Sequence, residues 1–107
     1  MTSKLSKPSK PSKPSKLVIL AETNANGGDI AAIEFLARRF FDGNGVEQSF
    51  QKSYFWSTIA LKRDVTYVSS LNQFALKKLS EEEKKCADKD LQDWFSMSPD
   101  FRSLNLP

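Results

Sequence analysis

The 107-residue chain reads as an all-α protein of antiparallel helices behind a disordered, basic N-terminal arm. Two observations predict this. From Asp29 onward, apolar residues recur at steps of 3, 4 and 7, which is one face of a 3.6-residue period. The runs are also separated by helix stop and start signals: Asn26-Gly27-Gly28, Gly43, and Ser80 ahead of Glu81, Glu82 and Glu83. Charged residues at 27% and hydrophobic residues at 39% are ordinary for one soluble domain.

The arm comes first. Residues 6–16 repeat Ser-Lys-Pro, and Pro8, Pro11 and Pro14 exclude a persisting helix or a paired strand there. Residues 1–16 carry Lys4, Lys7, Lys10, Lys13 and Lys16 and no acid. Of the 16 basic residues, 11 remain for the rest of the chain against 13 acidic ones, so the net +3 belongs to the arm. Such a segment has little apolar area to bury and favours solvated, extended chain. Three readings stay open: an electrostatic hook for an acidic partner, a set of phosphorylatable serines, or a solubilising leader. No aromatic residue interrupts the lysines, so base stacking cannot come from this segment.

Leu17, Leu20 and Ala21 are spaced for one face of a short helix that Asn24 to Gly28 stops, although the β-branched Val18 and Ile19 keep a short strand open. Asp29 is an N-cap for the next helix, whose face is Ile33, Leu36, Ala37 and Phe40, widened by Ile30, Ala32 and Phe41. Gly43 stops it, and with Gly45 permits a tight reversal. A third helix is expected over about 48–63, with Phe50, Ser53, Trp56 and Ala60 inward and Phe55 and Ile59 beside them. The short connection makes the two helices antiparallel. A fourth is expected over about 64–79, with Val68, Leu71, Ala75 and Leu79 as its stripe and Tyr67 and Phe74 flanking. Ser80 and Glu83 form a capping box for the last helix, which carries Cys86, Ala87, Leu91, Trp94 and Phe95 inward until Pro99. Phe101, Leu104 and Leu106 are left over, to fold back on the core or to fray.

Residues 28–64 resemble the Sel-one-like repeat, a relative of the tetratricopeptide repeat. The matching positions are Ala32, Leu36, Ala37 in a glycine place, Phe40, Gly43, Gly45 and Val46, then Ser53 in an alanine place, Trp56 and Ala60. Leu61 and Asp64 depart from the pattern, Asp64 standing where a glycine is usual. The resemblance implies a short α-α superhelix of antiparallel helix pairs over 17–98, with one clear repeat at 28–63, a degenerate capping pair at 64–97 and a tail at 99–107. It also implies recognition of a protein or peptide by the face of the first helices, and so an adaptor or inhibitor-like module. On that face Glu34, Phe35, Arg38 and Arg39 are the candidates, Phe35 as apolar anchor and the arginines as carboxylate holders. The competing reading has the arginines solvated and Phe35 packed on the next helix.

The absence of histidine removes histidine bases, histidine metal sites and histidine-activated nucleophiles, and the single cysteine removes an intrachain disulfide. Glu81–Glu83 is a helix start, while Asp88, Asp90 and Asp93 do not share a helical face, so no catalytic or metal site and no cofactor is expected. Cys86 is expected as a core thiol. The longest apolar run, Leu17–Ala21, is far short of the roughly 20 residues of a spanning helix and of a ~7–15-residue signal-peptide core, so no membrane partner and a cytoplasmic location are expected. One repeat with caps should leave an apolar end uncovered, to be covered by a partner or a second copy. The alternative function is a polyanion binder, nucleic acid included, acting through the arm.

Overall fold

The computed structural model describes residues 14–97. Lys4, Lys7, Lys10 and Lys13, and with them most of the arm, lie outside the described residues, as does the tail at 99–107. The described residues form five α-helices and one 3-10 turn, and contain no strand.

Helix α1 (Lys16–Asn26) is capped by Ser15, whose hydroxyl accepts from the Val18 amide. It begins at Lys16, the residue with which the arm was expected to end, and is longer than the stretch read from Leu17 to Ala21. Its buried side is Val18, Ala21 and Ala25, whereas Leu17 and Leu20 are 62% and 57% exposed. The expected face was therefore rotated: small Ala21 and Ala25 let this helix approach its neighbour closely, and the leucines are turned outward.

The junction to α2 (Ile30–Asp42) is a Schellman turn. Gly28 has φ +96°, the Asp29 amide donates to Asn24 O and the Gly28 amide to Ala25 O. Asp29 then caps α2 through the Ala32 amide. At the far end Gly43 takes the left-handed conformation at φ +71°. Three of the last carbonyls of α2 are answered: Arg39 O by the amides of Gly43 and Asn44, Phe40 O by the Ser49 amide, and Phe41 O by the Gln48 side chain. Gly45, also at positive φ, passes so near the start of α1 that an added Cβ would lie 2.9 Å from Ser15 Oγ. Val46 is buried beside it.

Helix α3 (Phe50–Lys62), capped by Ser49, returns along α2. Its inner side is Ser53, Trp56, Ile59 and Ala60 against Ile33, Leu36, Ala37 and Phe40. Ser53, buried, donates to Ala37 O across the hairpin at 2.9 Å, which satisfies a hydroxyl that would otherwise be costly there. A second Schellman turn ends α3, with Asp64 and Val65 donating to Leu61 O and Ala60 O. Asp64 holds its left-handed position at φ 69°.

The fourth segment starts later than its periodicity suggests. The chain leaves that turn through a 3-10 turn, Thr66–Val68, before α4 (Ser69–Lys77). Val68 and Ala75 are buried on α3, Leu71 and Leu79 only partly. Asn72 pins α4 to α3 by donating to Ser57 Oγ and Thr58 Oγ1. Helix α5 (Glu81–Met97) opens on the expected capping box: Glu83 N–H donates to Ser80 Oγ, and Ser80 N–H to Glu83 Oε1. Ala87, Leu91 and Trp94 are its buried side. Cys86 is exposed, so the core-thiol expectation is corrected: the buried stripe runs through its neighbour Ala87.

Helix α1 packs on α2, α2 on α3, and α3 also carries α4 and α5. Trp56 and Trp94 meet edge to face at 6.3 Å. Trp94 also donates its indole N–H to Asn26 Oδ1, which places the end of α5 at the α1–α2 corner. Among the described residues no helix is long and apolar enough to cross a membrane.

Candidate functional site

Helices α2 and α4 do not close on each other, and a groove of about 400 Å³ runs between them. Arg38, Phe41 and Asp42 line it from α2, Tyr67 from the 3-10 turn, and Ser70, Leu71 and Phe74 from α4. Its floor is aromatic. The Phe41 ring meets Phe74 at 5.4 Å and Phe50 at 5.6 Å, both edge to face. Phe74 remains 47% exposed and Tyr67 64%. Lys78 Nζ stands 5.2 Å from the Phe74 ring centre.

One wall is held by a carboxylate. Glu34 accepts from Arg38 Nε at 3.0 Å with one oxygen and from the Tyr67 hydroxyl at 2.8 Å with the other. That hydrogen bond is the main cause of the raised Tyr67 pKa. The Arg38 guanidinium lies 5.8 Å from the Tyr67 ring centre. Glu34 thereby ties the rim of α2 to the 3-10 turn ahead of α4 and fixes where Arg38 points.

The four candidates fall on two faces. Glu34 and Arg38, four residues apart, belong to the α2–α4 groove. Phe35 and Arg39, also four apart, lie on the opposite flank of α2, with the Arg39 guanidinium 4.5 Å from the Phe35 ring centre. Phe35 is partly buried against the core and borders a shallow apolar groove with Leu17 and Leu20. The two arginines are thus not brought together.

Sequence reasoning did not assign Phe41, Leu71, Tyr67 and Phe74 to a site, taking them as parts or flanks of buried stripes. The available signal was an aromatic one step off the buried stripe on both α2 and α4, at Phe41 and Phe74. The motif residues Ala32, Leu36, Phe40, Val46, Trp56 and Ala60 are all buried, and Gly43 and Gly45 form the bend between α2 and α3. Lys16 is exposed at the start of α1.

The groove offers an apolar floor with the cations Arg38 and Lys78 and the carboxylates Glu34 and Asp42 around it. On the far side of the molecule Asp88 accepts from Tyr54 at 2.9 Å and from Lys84 at 2.8 Å. Lys84 is the chief reason that its carboxyl titrates below the usual range. Among the described residues no three His, Cys, Asp or Glu side chains gather as metal ligands would. Compared with family models, curated proteins and solved structures, the chain matches none of them.

Proposed function

We propose that this chain is a non-catalytic interaction module, adaptor or inhibitor-like, that takes apolar side chains of a protein or peptide into the groove between α2 and α4. The observation that carries the reading is an aromatic floor made by Phe41 of α2, Tyr67 of the 3-10 turn and Phe74 of α4, the last two exposed. Apolar rings left open to water beside ordered charged groups are what a recognition surface presents. The bend at Gly43 and Gly45 and the buried Val46, Trp56 and Ala60 support reading 28–63 as a Sel-one-like repeat. On that reading α1 is the second helix of a preceding pair, α4 and α5 form a capping pair, and the whole is a short superhelix.

Affinity capture with three baits tests this: the full chain, the chain without residues 1–13, and the full chain with Phe74→Glu. Phe74 is about half exposed, so the charge should leave the fold intact, which circular dichroism checks. The expected partner survives removal of the arm and about 0.5 M salt, and is lost with Phe74→Glu. Capture that collapses with salt and disappears with the arm would instead favour the polyanion reading, in which up to five lysines release counterions.

A further inference from the structure

A second apolar surface lies on α1, away from the proposed recognition groove. Among the described residues six large apolar side chains are exposed, and three of them, Leu17, Ile19 and Leu20, sit within four consecutive positions of this one helix. Packing gives the reason. Helix α1 has its main packing on α2 alone, through Val18, Ala21 and Ala25. Lys16, Ile19, Leu20 and Thr23, all exposed, form a row on the opposite side at helical spacings of 3, 4 and 7. Leu17 and Leu20 carry the apolar surface on to Ala31 and Phe35 of α2 across a shallow groove. Such a row gains nothing from water and calls for a cover.

Charge decides which cover fits. Helix α1 carries only two charged residues, Lys16 in its first turn and Glu22 on the flank towards α5. Neither makes an ion pair among the described residues. Let two copies of this helix lie antiparallel about a twofold axis at the level of Ile19 and Leu20. Lys16 of each copy then stands within one residue of the level of Glu22 of the other, so two ion pairs form by symmetry. Ile19 of each meets Leu20 of the other at the centre of the seam. A parallel pair would instead set Lys16 against Lys16 and Glu22 against Glu22, and would align the helix dipoles rather than oppose them. The outer side of α1 is thus complementary to itself in one orientation.

Area sets the strength. Three such side chains offer on the order of 300 Å², against roughly 800 Å² per partner in a stable interface. The pair is therefore reversible and forms at chain concentrations on the order of 0.1 mM.

We infer that α1 is a dimer seam, at which two copies of this chain pair antiparallel through Leu17, Ile19 and Leu20 with Lys16 of each against Glu22 of the other. The inference is independent of the α2–α4 groove, which α1 does not line.

Sedimentation equilibrium of the full chain from about 0.01 to 1 mM tests it. The weight-average mass should climb from 12.1 kDa towards twice that value. Leu20→Glu, at an exposed position that the fold tolerates, should weaken association by about 10-fold or more, since it puts an unpaired charge at the centre of the seam. Lys16→Glu and Glu22→Lys should each weaken it by about 3- to 10-fold, by setting like charges together. The chain with both reversals should associate like the native one, because the exchanged charges meet again across the antiparallel pair. Circular dichroism checks that each variant keeps its helices. A chain that stays monomeric at the top of the concentration range overturns the inference. So does association that Leu20→Glu leaves intact and Phe74→Glu abolishes, because the contact then lies in the α2–α4 groove. Single reversals without effect, or a double reversal that does not restore association, overturn the antiparallel pairing and with it the inference.

Discussion

Asp64 is the one non-glycine described residue at positive φ, and its setting explains why it is there. At φ 69° it occupies the left-handed position of a Schellman turn, and its amide and that of Val65 satisfy Leu61 O and Ala60 O. A side chain in that conformation is strained, with Asp among the more tolerant types, and glycine removes the strain. Asp64→Gly should stabilise the fold by about 0.5–1 kcal/mol, part of the gain being returned as unfolded-state entropy. The urea midpoint should rise with an unchanged slope. A fall would mean that the Asp64 side chain holds something its geometry does not reveal. Asp88 gives a prediction of a different kind. The Lys84 ammonium, and after it the Tyr54 hydroxyl, hold the Asp88 carboxyl below its ordinary pKa, with burial opposing them. A lowered folded pKa adds stability that is complete above the ordinary carboxylate range and is lost as pH falls through the folded value. Urea unfolding of the native chain and of Asp88→Asn should therefore differ at pH 6, and the gap should close below about pH 4. A gap that stays constant into acid would show that the asparagine acts through packing alone.

Between one element and the next, caps were easier to read than rotations. Ser80 and Glu83 announce the start of α5 within four residues, and both halves of the capping box are formed. Ser80→Ala should cost about 1 kcal/mol, while Glu83→Gln, which keeps an acceptor for the Ser80 amide, should cost much less. Thermal unfolding of the two variants checks the order; equal losses would point to charge at the helix start rather than the reciprocal hydrogen bonds. Asp29, Gly28 and Gly43 were legible for the same reason: capping is a local problem with a local solution. Helix rotation is not local. In α1 both Leu17-Leu20-Ala21 and Val18-Ala21-Ala25 have helical spacing, and the choice was made by how closely α2 approaches the alanines. Cys86 and Ala87 differ by one step of the same kind. The late start of α4 follows from the left-handed Asp64, which ends one helix and delays the next. The groove shares this difficulty. Glu34 and Tyr67 are 33 residues apart, and nothing local in either segment indicates that they meet.

Across the whole molecule the packing is uneven, and α3 is its hub. It lies against α2, α4 and α5, whereas α1 has its main packing on α2 alone. The fully buried Ile59 and Ala60 of α3 share one core with Ile33, Leu36, Ala37 and Phe40 of α2, and the α2–α3 hairpin is the most completely enclosed part of the structure. Helix α5 is fastened differently. Its start is fixed by the capping box and by the bonds of Asp88, and its end largely by Trp94 against Trp56 and Asn26. Local opening should follow this distribution, with α1 and the last turns of α5 opening well below the global free energy and α3 close to it. Removing the Trp94 indole makes the argument quantitative. Trp94→Ala takes away a buried ring and its hydrogen bond, a change of about 3–5 kcal/mol in a well-packed core. In a structure held together by one continuous core, that loss would appear in every helix equally. Here it should fall mainly on α5: amides of residues 90–97 should exchange as though unfolded, while Ile59 and Ala60 keep most of their protection. Residue-resolved hydrogen exchange on the native chain and on Trp94→Ala reads this directly. Uniform loss of protection across α2, α3 and α5 would mean that the last helix belongs to the core rather than being docked on it.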